Sequence, residues 1–428
     1  MDKGAGMVRW VNRCMCALAL VFLSTLASAR DLPPEVRAAF LLDHDWSSPL
    51  PPGTVITAQN LALAESYLDP ILAARVRAGD VTITVAAPVP FVPHENYIAA
   101  TAAHLGEPSL GNAVGILNNY VAGLPFAEPL TADDPRAGEK LAWNIRHAWG
   151  GGSGRVDPMI WRYIDMSSGK VERTLKMEAA SLLFKHRLMD QRGTELDAGP
   201  QEVFRGLYLR VDEPYDIRNT QLLVHRLSDD HARERSWMYL SSQRRVRRLG
   251  TGQTTDAFLG SDIMIEDFLG YNGRIVDMEW RYLGRRDVLL PFFVGRRGGE
   301  APGFAGAGGC FPDVSWQVRP AYVLEAVPRN AGHPLSKRLF YVDVQTSTIA
   351  LGQIYDRSGK LWKLALGAFA HPDHHLPANR GTGVPIFAAV SMIDLQARHC
   401  TTITPTSIVG GDVSPRTFTV NHLRARGR

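Results

Sequence analysis

With 428 residues, 45% hydrophobic and 21% charged, the chain can bury one large core or two ordinary ones, and bulk disorder is excluded. Its formal net charge is +4, and residues 1–29 hold three cations and one anion (Lys3, Arg9, Arg13 and Asp2), so their removal leaves +2. That bias is too weak to imply a nucleic-acid or anionic-membrane partner.

Residues 1–29 read as a secretory signal. A basic start precedes an apolar run from Cys14 to Leu26, too short to span a bilayer, and Ala27-Ser28-Ala29 fits a small-residue cleavage site. The mature chain is expected to begin near Arg30. Cys14 and Cys16 leave with the signal. Cys310 and Cys400 remain, and in an oxidising compartment they form a candidate disulfide, although sequence alone does not show that they meet.

Residues 30–150 read as a mixed helical and extended segment. Leu61, Ala64, Leu68, Leu72 and Val76 repeat at helical spacing, with Pro70 implying a break or kink. Val81–Val85 is a short β run. Phe91–Ala103 and Asp133–Trp149 are further helix candidates.

From about residue 155 the period shifts to two. Val156–Met166, Lys170–Met177, Val203–Val211, Thr220–Leu227 and Ser236–Leu249 read as strands separated by turns such as Ser167-Ser168-Gly169. Met278–Tyr282, Trp316–Val327, Lys337–Val344, Ile349–Tyr355 and Leu361–Leu366 continue the series. Pro385–Asp394 is a strand or an amphipathic helix. Strands in succession without long helices imply an antiparallel sheet and an α+β, mainly antiparallel β fold. Residues 296–309 are Gly-rich and expected to form a mobile loop, and residues 396–428 a polar C-terminal tail.

Several clusters invite a chemical reading. His371-Pro372-Asp373-His374-His375 offers imidazole and carboxylate ligands for zinc, but its prolines make it a loop and no fourth ligand has standard spacing, so no metal is assigned. Asp262 with Glu266 and Asp267 could supply the carboxylate pair of a secreted hydrolase. Glu266 and Asp267 are adjacent, however, and turn or cap chemistry explains the group more simply. Arg244, Arg245, Arg247 and Arg248 lack the interleaved aromatics of a nucleic-acid platform and read as a charged strand end. Gly150–Gly154 and Ser167–Lys170 lack the context of a phosphate loop or a Ser-x-x-Lys site. No cofactor is implied. The aromatic residues Trp161, Tyr163, Tyr208, Trp237, Tyr239, Trp280 and Tyr282 are either core or, if the sheet closes imperfectly, the lining of a hydrophobic cavity.

Three stretches together resemble a known family. Asn118–Phe126 with Asp134–Lys140 and Trp143-Asn144 resembles the DUF1329 family of secreted proteobacterial proteins. Arg244–Arg248, followed by Gly260-Ser261-Asp262 and by Glu266-Asp267-Phe268 with Gly270-Tyr271-Asn272-Gly273, is similar to a signature shared by that family and LolA-like lipoprotein-sorting proteins. Tyr341-Val342-Asp343, Gln353–Asp356 and Ser358-Gly359-Lys360 resemble a LolA-like hairpin.

The resemblance covers about residues 50–395. It implies a LolA-like unclosed, strongly curved β-barrel over residues 151–395, with helices plugging its concave side. Its function would be that of a periplasmic carrier or accessory protein for a lipid or other hydrophobic ligand. It also implies an RND-type exporter or an outer-membrane protein as partner. A structural cell-envelope scaffold is the alternative that requires no ligand.

Overall fold

The computed structural model describes residues 31–188, 194–196, 202–293 and 301–427; the signal-like segment and residues 296–300 of the Gly-rich stretch lie outside them. A single 15-stranded sheet dominates. Its strands are β1 (Val55–Ile56), β2 (Ile83–Val85), β3 (Ser153–Asp165), β4 (Lys170–Leu183), β5 (Val203–Glu213), β6 (Gln221–Leu227), β7 (Arg235–Leu240), β8 (Arg245–Arg248), β9 (Met278–Leu290), β10 (Ser315–Pro328), β11 (Leu335–Asp343), β12 (Ile349–Asp356), β13 (Leu361–Ala370), β14 (Ile386–Asp394) and β15 (His399–Val409). Their spatial order is β1-β2-β10-β11-β12-β13-β14-β15-β3-β4-β5-β6-β7-β8, with β9 also paired to β10. All pairings are antiparallel except that of β2 with the start of β10. The sheet does not close on itself.

One face of the sheet carries a continuous apolar cluster. Trp161, Leu175, Leu209, Leu222, Leu335, Ile354, Met392 and Ile403 come from eight different strands, β3 to β6, β11, β12, β14 and β15, yet share one buried cluster. Those strands, with β13 between β12 and β14, run consecutively, so the cluster is one continuous apolar face of the curved sheet. The opposite face is covered in patches. Residues 61–91 with Val288–Phe293 cover β10 to β13, and the C-terminal residues Val413, Phe418 and Leu423 cover β4 to β7.

Among the described residues five α-helices sit around the sheet: α1 (Pro34–Ala39), α2 (Pro70–Arg77), α3 (Glu95–Ala103), α4 (Ala137–Arg146) and α5 (Val420–Arg426). Pro70 starts α2 rather than kinking a longer helix. Asp69 caps it by accepting from the backbone N–H groups of Ile71 (2.8 Å) and Leu72 (3.1 Å), and proline at the first helical position forfeits no bond. α4 lies on β9 so closely that a Cβ at Gly138 would stand 2.6 Å from the Trp280 carbonyl carbon. The DUF1329-like motif around it is structural. Arg136 binds Glu139 (2.9 Å), Glu139 accepts from the Gly115 N–H (3.0 Å), and the Asn144 amide clamps both backbone groups of Phe126 (2.9 and 2.8 Å).

Three expectations change. Ser236–Leu249 is not one strand but the β7–β8 hairpin, turning at Ser241–Arg244 with Arg244 at φ 49°. Residues 396–428 are not a loose tail. β15 is an interior strand between β14 and β3, and α5 follows it. The C-terminal part of the Gly-rich stretch is folded: Phe304–Ala305 pairs with Phe311–Pro312, and Cys310 forms a disulfide with Cys400 of β15. Pro385–Asp394, left open between strand and helix, is strand β14.

Candidate functional site

The segment between β8 and β9 enters the concave face. Phe258, Ile263, Met264 and Ile265 are buried in the same cluster as Trp161, Tyr163, Leu175 and Leu209, and Phe268 packs beside them. Two short 3-10 turns, Phe258–Gly260 and Ile265–Asp267, carry Phe258 and Ile265, with Ile263 and Met264 between them and Phe268 just after the second. A continuous helix is blocked because Leu259 and Gly260 (φ 52° and 79°), then Leu269 and Gly270 (φ 58° and 89°), are left-handed. Trp161 makes edge contacts with Phe258 and Phe268 (ring centroids 5.9 and 6.3 Å), and the Tyr163 hydroxyl donates to the Leu259 carbonyl (3.1 Å).

Buried polar bonds fix this segment to the sheet. Arg338 of β11, 1% exposed, donates to Glu266 (2.8 Å) and to Asp267. The second Asp267 oxygen accepts from the Met264 N–H (2.9 Å). Lys363 of β13 donates to the Asp262 carbonyl (2.6 Å). From β15, Thr401 accepts from the Asp262 N–H (2.9 Å) and donates to its carboxylate (2.7 Å), and His399 Nδ1 donates to the same carboxylate oxygen (2.8 Å). Burial pushes the Glu266 carboxyl up, but Arg338 and His333, the latter 3.4 Å away, outweigh it and hold it at about 2. Burial pulls Lys363 below the usual lysine range, against the attraction of Asp267 and Asp262.

The candidate hydrolase carboxylates are therefore occupied as anchors. Glu266 and Asp267 share one guanidinium, and Asp262 is taken by β15. In the candidate metal loop, His371 binds the Pro90 carbonyl (3.1 Å) and accepts from the Asp373 N–H (3.2 Å), while His375 pairs with Asn379 (2.8 Å). Among the described residues no group of three or more His, Cys, Asp or Glu side chains is arranged to hold an ion.

The seven aromatic residues do not line one cavity. Trp161 and Tyr163 face the concave cluster. Trp280 lies under α4, donating to the Ile275 carbonyl (2.8 Å), and Tyr282 meets Tyr322 on the same side. Tyr208, Trp237 and Tyr239 belong to the opposite face, beneath the C-terminal residues. Period-two alternation separates them: Tyr208 stands beside Leu207 and Leu209 on β5, so it must point the other way. Of the motif residues, Arg244, Arg245, Arg247 and Arg248 are exposed at the β8 edge, whereas Ser261, Asp262, Glu266 and Asp267 are buried anchors or turn residues. Sequence reasoning missed the partners Arg338, Lys363, His399 and Thr401, which lie on distant strands. An open groove of about 730 Å³, lined by Gly332, Asp356, Trp362, Asp394 and Gln396, adjoins the concave cluster through Trp362.

The sequence is 26% identical over 291 residues to the uncharacterized protein PA3922 of Pseudomonas aeruginosa PAO1, covering 65% of this chain and 58% of that one, so the chain spans less than two thirds of that relative's length. Among solved structures it is similar to a DUF1329 family protein from Desulfovibrio piger (TM-score 0.49, 17% identity, 68% of this chain and 99% of that one). It is also similar to the LolA superfamily protein NE2245 from Nitrosomonas europaea (TM-score 0.39, 13% identity, 65% and 94%). The family described as "Protein of unknown function (DUF1329)" matches residues 55–424, most of the length, and the chain belongs to that family.

Proposed function

We propose that the protein is a periplasmic carrier or accessory protein that takes a lipid or other hydrophobic ligand onto the concave face of its open sheet, with the segment 257–273 as a displaceable cover. One observation carries this reading: an apolar trough built by eight strands is filled by an irregular segment that combines buried apolar side chains with polar anchors to the sheet. A protein that needed only a core would gain more from regular, continuous packing there. The left-handed pairs at 259–260 and 269–270 bracket the cover and give it two pivots. Trp161 Nε1 is buried without an acceptor in the closed arrangement. An acyl chain in the trough buries apolar surface worth about 0.8 kcal/mol per methylene, set against the loss of Phe258, Ile263, Met264, Ile265 and Phe268 from the same place.

An RND-type exporter or an outer-membrane protein as delivery partner belongs to the same proposal, on the strength of the motif resemblance. Lipid extraction and mass spectrometry of the protein purified from the periplasm test the reading. A co-purifying apolar molecule is expected. Protein that carries none, and takes up none from mixed-lipid vesicles, sinks it.

A further inference from the structure

One end of the trough is not apolar. On β5, Arg205 continues the face of Leu207, Leu209 and Val211, and on β6, Arg226 continues the face of Leu222 and Val224. The two arginines are register partners. Arg146, at the C-terminal end of α4, joins them. Arg146 is paired with Asp230 (3.0 Å) and Arg226 with Glu234 (2.6 Å). Arg205 has no carboxylate partner among the described residues. Among the described residues its one polar bond is to the side-chain oxygen of Asn272 (3.0 Å), a neutral group. Asn272 itself is 4% exposed, and its Nδ2 is buried with no acceptor. Burial, with Arg146 and Arg226 nearby, pushes Arg205 below the ordinary arginine value.

We infer that Arg205 is the receptor for the anionic head group, carboxylate or phosphate, of an amphiphile whose chain lies in the trough. The inference rests on the carrier reading and names its ligand class. A planar guanidinium with free N–H groups matches either oxyanion, and a charge-assisted bond in a partly buried site is worth more than the bond to an amide oxygen that it replaces. The orphaned Asn272 Nδ2 can donate to the same anion. Arrival of the head group would also loosen the cover. Asn272 lies within the 257–273 segment and donates its backbone N–H to the Glu266 carbonyl (2.7 Å), so an anion that takes Arg205 from Asn272 removes one tie between cover and sheet.

The test measures displacement of a bound apolar fluorophore from the full chain by palmitate, 1-palmitoyl lysophosphatidate and methyl palmitate, for the wild type and Arg205→Gln. The wild type is expected to bind at least one of the two anions about tenfold more tightly than the neutral ester. R205Q is expected to bind the ester as before and to lose the preference. Which anion is favoured separates a carboxylate from a phosphate head group. Equal affinity for all three in the wild type, or a preference that survives in R205Q, overturns the head-group assignment while leaving the carrier reading intact. Failure to bind any of the three overturns both. Ester binding by R205Q shows that the variant is folded.

Discussion

Arg338 shows how much one side chain holds. It is buried between two carboxylates, and its removal would leave both in a low-dielectric interior without their main counter-charge. Arg338→Met is expected to lower unfolding free energy by about 3–5 kcal/mol, read from urea denaturation, and to free the cover before the sheet unfolds. The same group sets an acid limit. Glu266 titrates at about 2 when folded against a normal value of 4.5. A depressed carboxylate stabilises the fold above its unfolded value, and that contribution vanishes as pH falls from 4.5 through 2. Stability measured across that window should drop by about 3 kcal/mol from this group, and the drop should flatten in R338M. At this scale the sequence was only half legible. Asp262, Glu266 and Asp267 were expected as turn and cap residues, but only Asp267 bonds a local N–H, that of Met264, while Asp262 binds Thr401 and His399 and Glu266 binds Arg338. Their partners were hidden, because Arg338 lies 71 residues from Asp267 and Thr401 lies 139 from Asp262. No local period reports such pairs.

Elements were more legible than their ends. Alternation located the long strands from β3 onward except β14, left open between strand and helix, and β15, while boundaries depended on turns. The break inside Ser236–Leu249 needed Arg244 in a left-handed conformation, which arginine seldom signals. β15 was missed for a chemical reason: its Thr401, Thr402, Thr404 and Ser407 read as polar surface, yet Cys400, Thr401 and Thr402 are at most 1% exposed. The disulfide ties that strand to the segment before β10, closing a loop of 90 residues. The pair of substitutions Cys310→Ser and Cys400→Ser is expected to cost up to about 4–5 kcal/mol by loop entropy. The check is a thermal melt with and without reductant. Reductant should lower the wild-type midpoint and leave that of the double variant unchanged.

At the scale of the whole molecule, both faces of the sheet are occupied, and each covering is a separate segment. The concave face has its anchored cover, and the outer face of β4 to β7 has residues 413–426. Ending the chain after residue 411 strips Val413, Phe418 and Leu423 from Leu182, Tyr208 and Leu223. That truncation is expected to cost about 5 kcal/mol or more and to raise binding of a hydrophobic dye. An unchanged melting midpoint would mean the C-terminal segment is dispensable. Overall topology could be expected from strand succession and motif resemblance. The division of the aromatics between two faces could not, because it depends on curvature as well as alternation.

The placement of β15 also governs how the protein is made. Asp165 of β3, on one side of the sheet's middle, finds its ladder partner in His399, so the sheet's two halves join only through one of the last strands to be synthesised. A chain emerging N-terminus first must wait with the β3 edge unpaired, and the loop closed by that pairing spans more than half the sequence. Such non-local assembly is slow, and the waiting edge is prone to aggregation. Biogenesis is therefore the stage at which this protein most needs protection, and the period of risk ends when residues 399–409 dock.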